Sequence, residues 1–343
     1  MKRTLRHICS LSAILCLFGS LATASESSSP EGGLAESSLE LNKQMIDFLQ
    51  SSGVSEEQPP VERMQGILDA LYGAEDGFTY DSAANFSAQK AFEEKRGNCV
   101  SLAMLFTSFA RSVGLDARFN QLDYTPIWEN VDGILVETIH INVLVYVGGN
   151  QYVVDAQPEL VELASHSRNP VSDERVFSHF YNNQGLLALA DGKLELAGEL
   201  IQRAIEMDPE NGTAWQNRGL YHFRSSNKKE GEESLVKAAE LNRSSSSACF
   251  QLSAYYEAVG DTNRSEKYAK LGSKRSKRNP FYHYYRSQQF AEQGDLKKAT
   301  KHLEYALKIL PSYSTFQIAL MDLKQRQEQD KGLASKPELA RFH

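Results

Sequence analysis

Apolar residues recur at three-to-four-residue spacing in two early segments, Leu39, Met45, Ile46 and Leu49 in the first and Val61, Met64, Ile67, Leu68 and Leu71 in the second. That spacing keeps one face of a helix apolar, and Pro59-Pro60 separates the two predicted helices. A third helix is predicted from Asn98 to Val113, with Leu102, Leu105, Phe106, Phe109 and Val113 as its apolar stripe and Gly114 as its stop. The period then changes to two. Leu115 to Leu122 alternates as a strand does, and Glu137 to Val147 and Gln151 to Asp155 are rich in Val, Ile and Tyr. Gly148-Gly149 between the last two is a two-residue hairpin signal, with Ile139, Ile141, Val143 and Val145 as the core side of the ribbon.

The second half carries a longer period. Gly192, Ser226, Gly260 and Gly294 recur every 34 residues, and the same step links Ala197, Gly231, Ser265 and Ala299, and again Ala204, Ala238, Gly272 and Ala306. Small residues at fixed places let two antiparallel helices approach closely, so the pattern predicts an all-α solenoid of helical pairs. With Trp215, Gly219, Ala238, Pro209 and Pro311 in consensus places, this half resembles the tetratricopeptide repeat (TPR) family. Four repeats are expected, at 178–211, 212–245, 246–279 and 280–313, closed by a helix with a polar outer face at 314–330 and followed by a tail at 331–343. The resemblance implies a groove that binds a protein or peptide partner, lined from the first helices by His179, Asn182, Gln216, Phe250 and Tyr284.

Composition adds a location and removes some partners. The 343 residues are 41% hydrophobic and 24% charged, enough for two domains with cores. Lys2, Arg3 and Arg6, the apolar run Ile8 to Leu21, and Ala22-Thr23-Ala24 read as a cleaved signal peptide over 1–24, too short to span a bilayer. Export is therefore expected, to the periplasm of a Gram-negative bacterium or as a secreted protein, with no stable membrane span after cleavage. Residues 25–35, rich in Ser, Gly and Glu, are expected to form a disordered tether. The formal net charge of −7, more negative once the three basic residues leave, argues against nucleic acid as a partner. The basic run Arg264 to Arg278 reads as a solvated helix face. No His, Cys or acidic pair has metal-ligand spacing and no glycine loop cradles a phosphate, so neither a metal nor a cofactor is expected. Of four cysteines, Cys9 and Cys16 lie in the signal segment, which leaves Cys99 and Cys249, too few for a disulfide scaffold.

Cys99 follows Gly97-Asn98 and opens the third helix, where free backbone amides and the positive end of the helix dipole favour a thiolate. By itself such a cysteine is a common structural residue. The hairpin adds the chemistry. If Gly148 and Gly149 form a two-residue turn, Val147 pairs with Asn150, Asp155 lies opposite Asn142, and His140, Asn142 and Asp155 share one face. An imidazole and a carboxylate are thereby in reach of each other, and the inference depends on the glycine pair.

The segments KRGNCVSLAMLFTSFARSVGLDARF, IHINVLVY and YVVDAQPE place Cys at a helix start, His on a following strand and Asp on the next. In that order they resemble the transglutaminase-like superfamily, relatives of papain-type cysteine peptidases. The resemblance implies an α+β domain over 36–165, joined by a linker at 166–177 to the solenoid. It also implies Cys99 as nucleophile, His140 as general base and acid, and Asp155 as the group that orients and stabilises the imidazole. The implied activity is acyl transfer through a thioester, hydrolysing an amide or peptide or transferring the acyl group to an amine. The alternative is a non-catalytic periplasmic scaffold with a degenerate domain and a peptide groove, and a third reading pairs Cys99 with Cys249. The oligomeric state is not legible from the sequence.

Overall fold

The computed structural model describes residues 39–73, 77–131, 134–157, 160, 169–243 and 245–334. The expected signal segment and tether lie outside them. Among the described residues there are thirteen helices and five strands. The first two helices, α1 (Lys43–Ser51) and α2 (Pro60–Tyr72), bury Met45 and Leu49, and Met64, Ile67 and Leu71. Asn42 caps α1 by accepting a hydrogen bond from Met45 N, and Pro60 opens α2, where a missing amide proton costs nothing.

A two-residue parallel pair, β1 (Thr79–Tyr80) and β2 (Arg96–Gly97), brackets α3 (Ala88–Glu94) and leads into α4 (Cys99–Ser112). Nearly every side chain of α4 is buried, so this helix is the central spine of the first half rather than an amphipathic surface helix. It lies against a three-stranded antiparallel sheet of order β3 (Asp116–Val131), β4 (Ile134–Val147) and β5 (Asn150–Val154). Gly148 and Gly149 both have positive φ, 57° and 82°, which is the two-residue turn that the pair predicts, and Val147 pairs with Asn150. The strands are longer than the alternation suggests. β3 runs on past Leu122 through a register shift between Leu122 and Ile127, and β4 begins at Ile134.

Ile141, Val143 and Val145 are buried, as expected of the core side. The other face is buried too, through Leu144, His140, Asn142 and Asn120. This differs from a ribbon with one wet face. Segment 169–171 pairs with β3 through Gln121 N to Asn169 O and Val171 N to Phe119 O, and the fourth repeat lies against the same strand.

The repeats are α5 (Asp173–Ala190) with α6 (Leu194–Met207), α7 (Gly212–Arg224) with α8 (Lys228–Leu241), α9 (Ser247–Ala258) with α10 (Thr262–Ser276), and α11 (Pro280–Glu292) with α12 (Leu296–Ile309). The close approach that small residues predict is real: a Cβ at Gly185 would sit 2.6 Å from the Ile201 side chain, and one at Gly219 2.7 Å from that of Leu235. α5 starts inside the stretch expected as linker, because Ser172 caps it by accepting from Arg175 N. The last helix, α13 (Ser314–Ala334), closes the array by burying Phe316 and Leu323 and extends into the expected tail. Its outer face is not wholly polar, since Ile318 and Met321 are 67% and 72% exposed. No helix among the described residues is long and apolar enough to cross a membrane.

Candidate active site

Cys99 is the first residue of α4, and several bonds fix that turn. Asn98 caps the helix, its Oδ1 accepting from Ser101 N at 3.0 Å, and its own amide donates to Ala84 O at 2.8 Å. Ser101 Oγ donates to Ala84 O and accepts from Phe86 N at 2.7 Å, so the loop 84–86 and the first turn of α4 hold each other. Gly97 has to be small: a Cβ there would meet the Ser101 Cβ at 2.7 Å. Cys99 is partly exposed, while the residues on either side are buried.

His140 and Asp155 meet as the hairpin register requires. His140 Nε2 donates to both carboxylate oxygens of Asp155 at 2.8 Å, and the two side chains are 1% and 0% exposed. Asn142 Nδ2 donates to Asp155 Oδ2 at 3.0 Å and Gln157 N to Oδ1 at 2.8 Å, so three donors converge on one buried carboxylate. Burial by itself opposes a charged imidazole. The charge and hydrogen bonds of Asp155 outweigh it, Cys99 adds to their effect, and the pKa of His140 is pushed up to about 10. Nδ1 of the ring is buried without a hydrogen-bond partner. Cys99 is thus close enough to the ring to raise its pKa, although no bond between the two meets strict hydrogen-bond geometry.

Two residues beside Asp155 carried no motif. The Tyr72 hydroxyl is held protonated far above the usual phenol range, by burial first and then by the nearby Asp155 charge. Asn120 donates from Nδ2 to Asn142 Oδ1 at 2.8 Å and accepts from Asn169 N at 2.7 Å. The signal for Asn120 was its place on the polar side of an alternating strand, opposite Asn142.

The residues expected to line a peptide groove are elsewhere engaged. His179, Asn182 and Gln216 are buried: His179 Nε2 donates to Gln121 Oε1 of β3 at 3.0 Å, Asn182 Oδ1 accepts from Asn217 Nδ2 at 3.0 Å, and Gln216 Nε2 donates to Ser247 Oγ at 3.1 Å. They sit on the first helices, as the repeat pattern assigns them, and each of the three is covered by other parts of the chain. β3 lies against both α5 and α11, so the sheet occupies the side that these first helices present. Phe250 and Tyr284 are partly buried, with ring centroids 5.9 Å from Tyr282 and 5.1 Å from Phe316. Cys99 and Cys249 are both free thiols, the latter buried between repeats. Among the described residues no cluster of three or more His, Cys, Asp or Glu could hold a metal. The basic run is partly structural, since Arg275 donates to the carbonyls of Ala239, Asn242 and Ser245.

Residues 49–156 match the Transglutaminase-like superfamily. Residues 178–211 match the Tetratricopeptide repeat. The chain therefore carries a transglutaminase-like core domain, which spans Cys99, His140 and Asp155, followed by a TPR region. No curated protein matches the chain. Similar solved structures include YrrB, described as a TPR protein with an unusual peptide-binding site, at 16% identity over 43% of this chain and 77% of that one, with a TM-score of 0.27. MamA protein is 16% identical over 48% of this chain and 98% of its own, with a TM-score of 0.27. The Cut9-Hcn1 hetero-tetramer of the APC/C is 14% identical over 44% of this chain, which spans 31% of that one, with a TM-score of 0.29. The repeat assignment rests on the 34-residue step and the observed helical pairs.

Proposed function

We propose that this protein is an exported cysteine acyl-transfer enzyme, acting in the periplasm, whose repeats recruit a protein partner. The observation that supports it is the orientation of His140: Nε2 is spent on Asp155, while the buried Nδ1 is left open and the ring responds to Cys99. In this reading Cys99 and His140 rest as a thiolate and an imidazolium. The sulfur attacks the carbonyl carbon of an amide, the imidazolium gives its proton to the departing amine, and a thioester remains. His140, now neutral, takes a proton from water or from a second amine as that group attacks the thioester. The bond to sulfur breaks, releasing an acid or a new amide and restoring the pair. Asp155 keeps the ring oriented and offsets its charge in both steps.

The experiment is alkylation of Cys99 by iodoacetamide across pH, followed by peptide mass. A thiol already ionised below neutrality reacts at a rate that is nearly flat there. A free thiol instead speeds up with pH through about 8.5. The wild-type rate is expected to be flat, and His140→Ala to be slower at pH 7 and to rise with pH. A wild-type rate that climbs like free cysteine, or that ignores His140→Ala, would leave the scaffold reading in possession.

A further inference from the structure

The cap that holds Cys99 is tied to the first helix of the repeats by one buried residue. Asn85 lies in the loop before α3 and is almost fully buried. Its Nδ2 donates to Phe180 O of α5 at 3.0 Å, and its Oδ1 accepts from Asn98 Nδ2 at 2.9 Å and from Asn183 Nδ2 of α5 at 3.3 Å. Its backbone carbonyl accepts from Gln184 Nε2 of α5 at 2.8 Å. Asn98 is the cap of α4, so the Asn85 side chain joins the residue before the sulfur to two positions on α5, and its backbone carbonyl adds a third. A second line runs from the other side. Asp155 is held by Asn142, Asn142 by Asn120, and Asn120 by the backbone of Asn169, three residues before the cap of α5.

These two lines end on one stretch of chain, 169–184, which opens the solenoid. Neither contains a hydrophobic contact that could slide. Each link is a directional bond, and those of Asn85 to Phe180 and Asn98, and of Asn120 to Asn142, are buried, where a broken bond is not replaced by solvent. Displacing α5 relative to the loop 84–86 therefore moves the cap of α4, and with it the sulfur, relative to His140. α5 also lies against α4 and β3, so it supports both the helix and the sheet that the reaction joins.

We propose that Asn85 is a positioning residue for the Cys99–His140 pair and that α5, through Asn183 and Gln184, is part of the catalytic scaffold, so that the first repeat sets the reactivity of the sulfur. This rests on the acyl-transfer reading. The repeats then do more than recruit: a partner that shifts α5 changes the rate at Cys99.

The test uses the full chain and the same iodoacetamide reaction, with Asn85→Ala on the loop and Asn183→Ala and Gln184→Glu on α5. The α5 variants are partly exposed positions that touch none of Cys99, His140 or Asp155, and Gln184→Glu keeps the shape while removing the donor. Each is expected to slow alkylation at pH 7 by roughly tenfold to a hundredfold, the cost of a small misplacement of reacting groups. Each is also expected to return the rate to the rising pH profile of a free thiol, while thermal unfolding of the two α5 variants keeps a single transition near that of the wild type. A purely structural role for Asn85 would lower the melting point and leave the pH profile alone, and that result overturns the proposal. Should Asn85→Ala not fold, the two α5 variants carry the decision. Wild-type alkylation that is flat with pH, together with α5 variants that match it, sinks the role of the first repeat and leaves the acyl-transfer reading standing. Wild-type alkylation that behaves as free cysteine sinks both.

Discussion

At Asp155 a carboxylate without solvent contact is kept by donors alone. His140 Nε2, Asn142 Nδ2 and Gln157 N all point hydrogens at it. Replacing it with Asn removes the charge that holds the imidazole's proton, and it turns one acceptor into an NH2 group facing donors. Leaving such groups unsatisfied costs about 1–3 kcal/mol. Asp155→Asn is expected to lower stability by about that amount in urea titration and to slow Cys99 alkylation at pH 7 by about 10²-fold, the usual scale for an acid–base group. The sign of the pH effect follows from the raised pKa of His140. The ring's stabilising contribution is complete below its ordinary value near 6.5 and is lost as pH rises through about 10.

Among the elements, the repeat turns show a rule and one exception. Gly192, Gly260 and Gly294 have φ of 75°, 82° and 79°, a left-handed conformation that ends the first helix of each pair. In the second repeat Ser226 takes the same position at φ 64°. A side chain there pays for the crowding of Cβ against its own backbone, and the equivalent glycines have no atoms close to where their Cβ would be. Ser226→Gly is expected to stabilise the protein by about 1 kcal/mol, less the extra freedom that glycine gives the unfolded chain, as read from the urea midpoint. A lower midpoint would show that the serine side chain makes up for its strain.

On the scale of the molecule, the solenoid holds the transglutaminase-like domain at two places. Near its start, His179 of α5 bonds Gln121 of β3 and accepts from Asn211 Nδ2 at 3.4 Å. Near its end, α11 lies against β3, and Leu160 is buried in the cluster formed by Phe281, Leu303 and Phe316. Burial first, and then the charge of Arg175, depress the pKa of His179 to about 3. Its folded pKa lies below its unfolded value, so the stability it contributes is present above about pH 6.5 and is lost as pH falls towards 3. One such proton amounts to about 1.4 kcal/mol per pH unit in that window. Melting temperatures measured from pH 7 to 4 are expected to fall in the wild type and to fall less steeply in His179→Gln, which keeps a donor but cannot be protonated. Equal slopes would mean that the seam opens before the ring is protonated.

Spacing along the chain was enough for the repeats and for one half of the candidate site. A helix repeats its faces by backbone geometry, so the 34-residue step of Gly192 to Gly294 named the helical pairs before any contact was known. A strand alternates by the same kind of local rule, and two glycines set the parity that brings His140 to Asp155. What covers each face is not a local matter. His179, Asn182 and Gln216 occupy the groove positions that the repeat pattern assigns them, yet they are buried because the chain's own sheet and neighbouring repeats lie against them. Asn85 bonds residues 95 to 99 positions away, and an asparagine in a loop carries no period that could announce such partners. Local backbone geometry thus determined which residues share a face, and only tertiary packing decided which of those faces stay open and which tie the repeats to the sulfur.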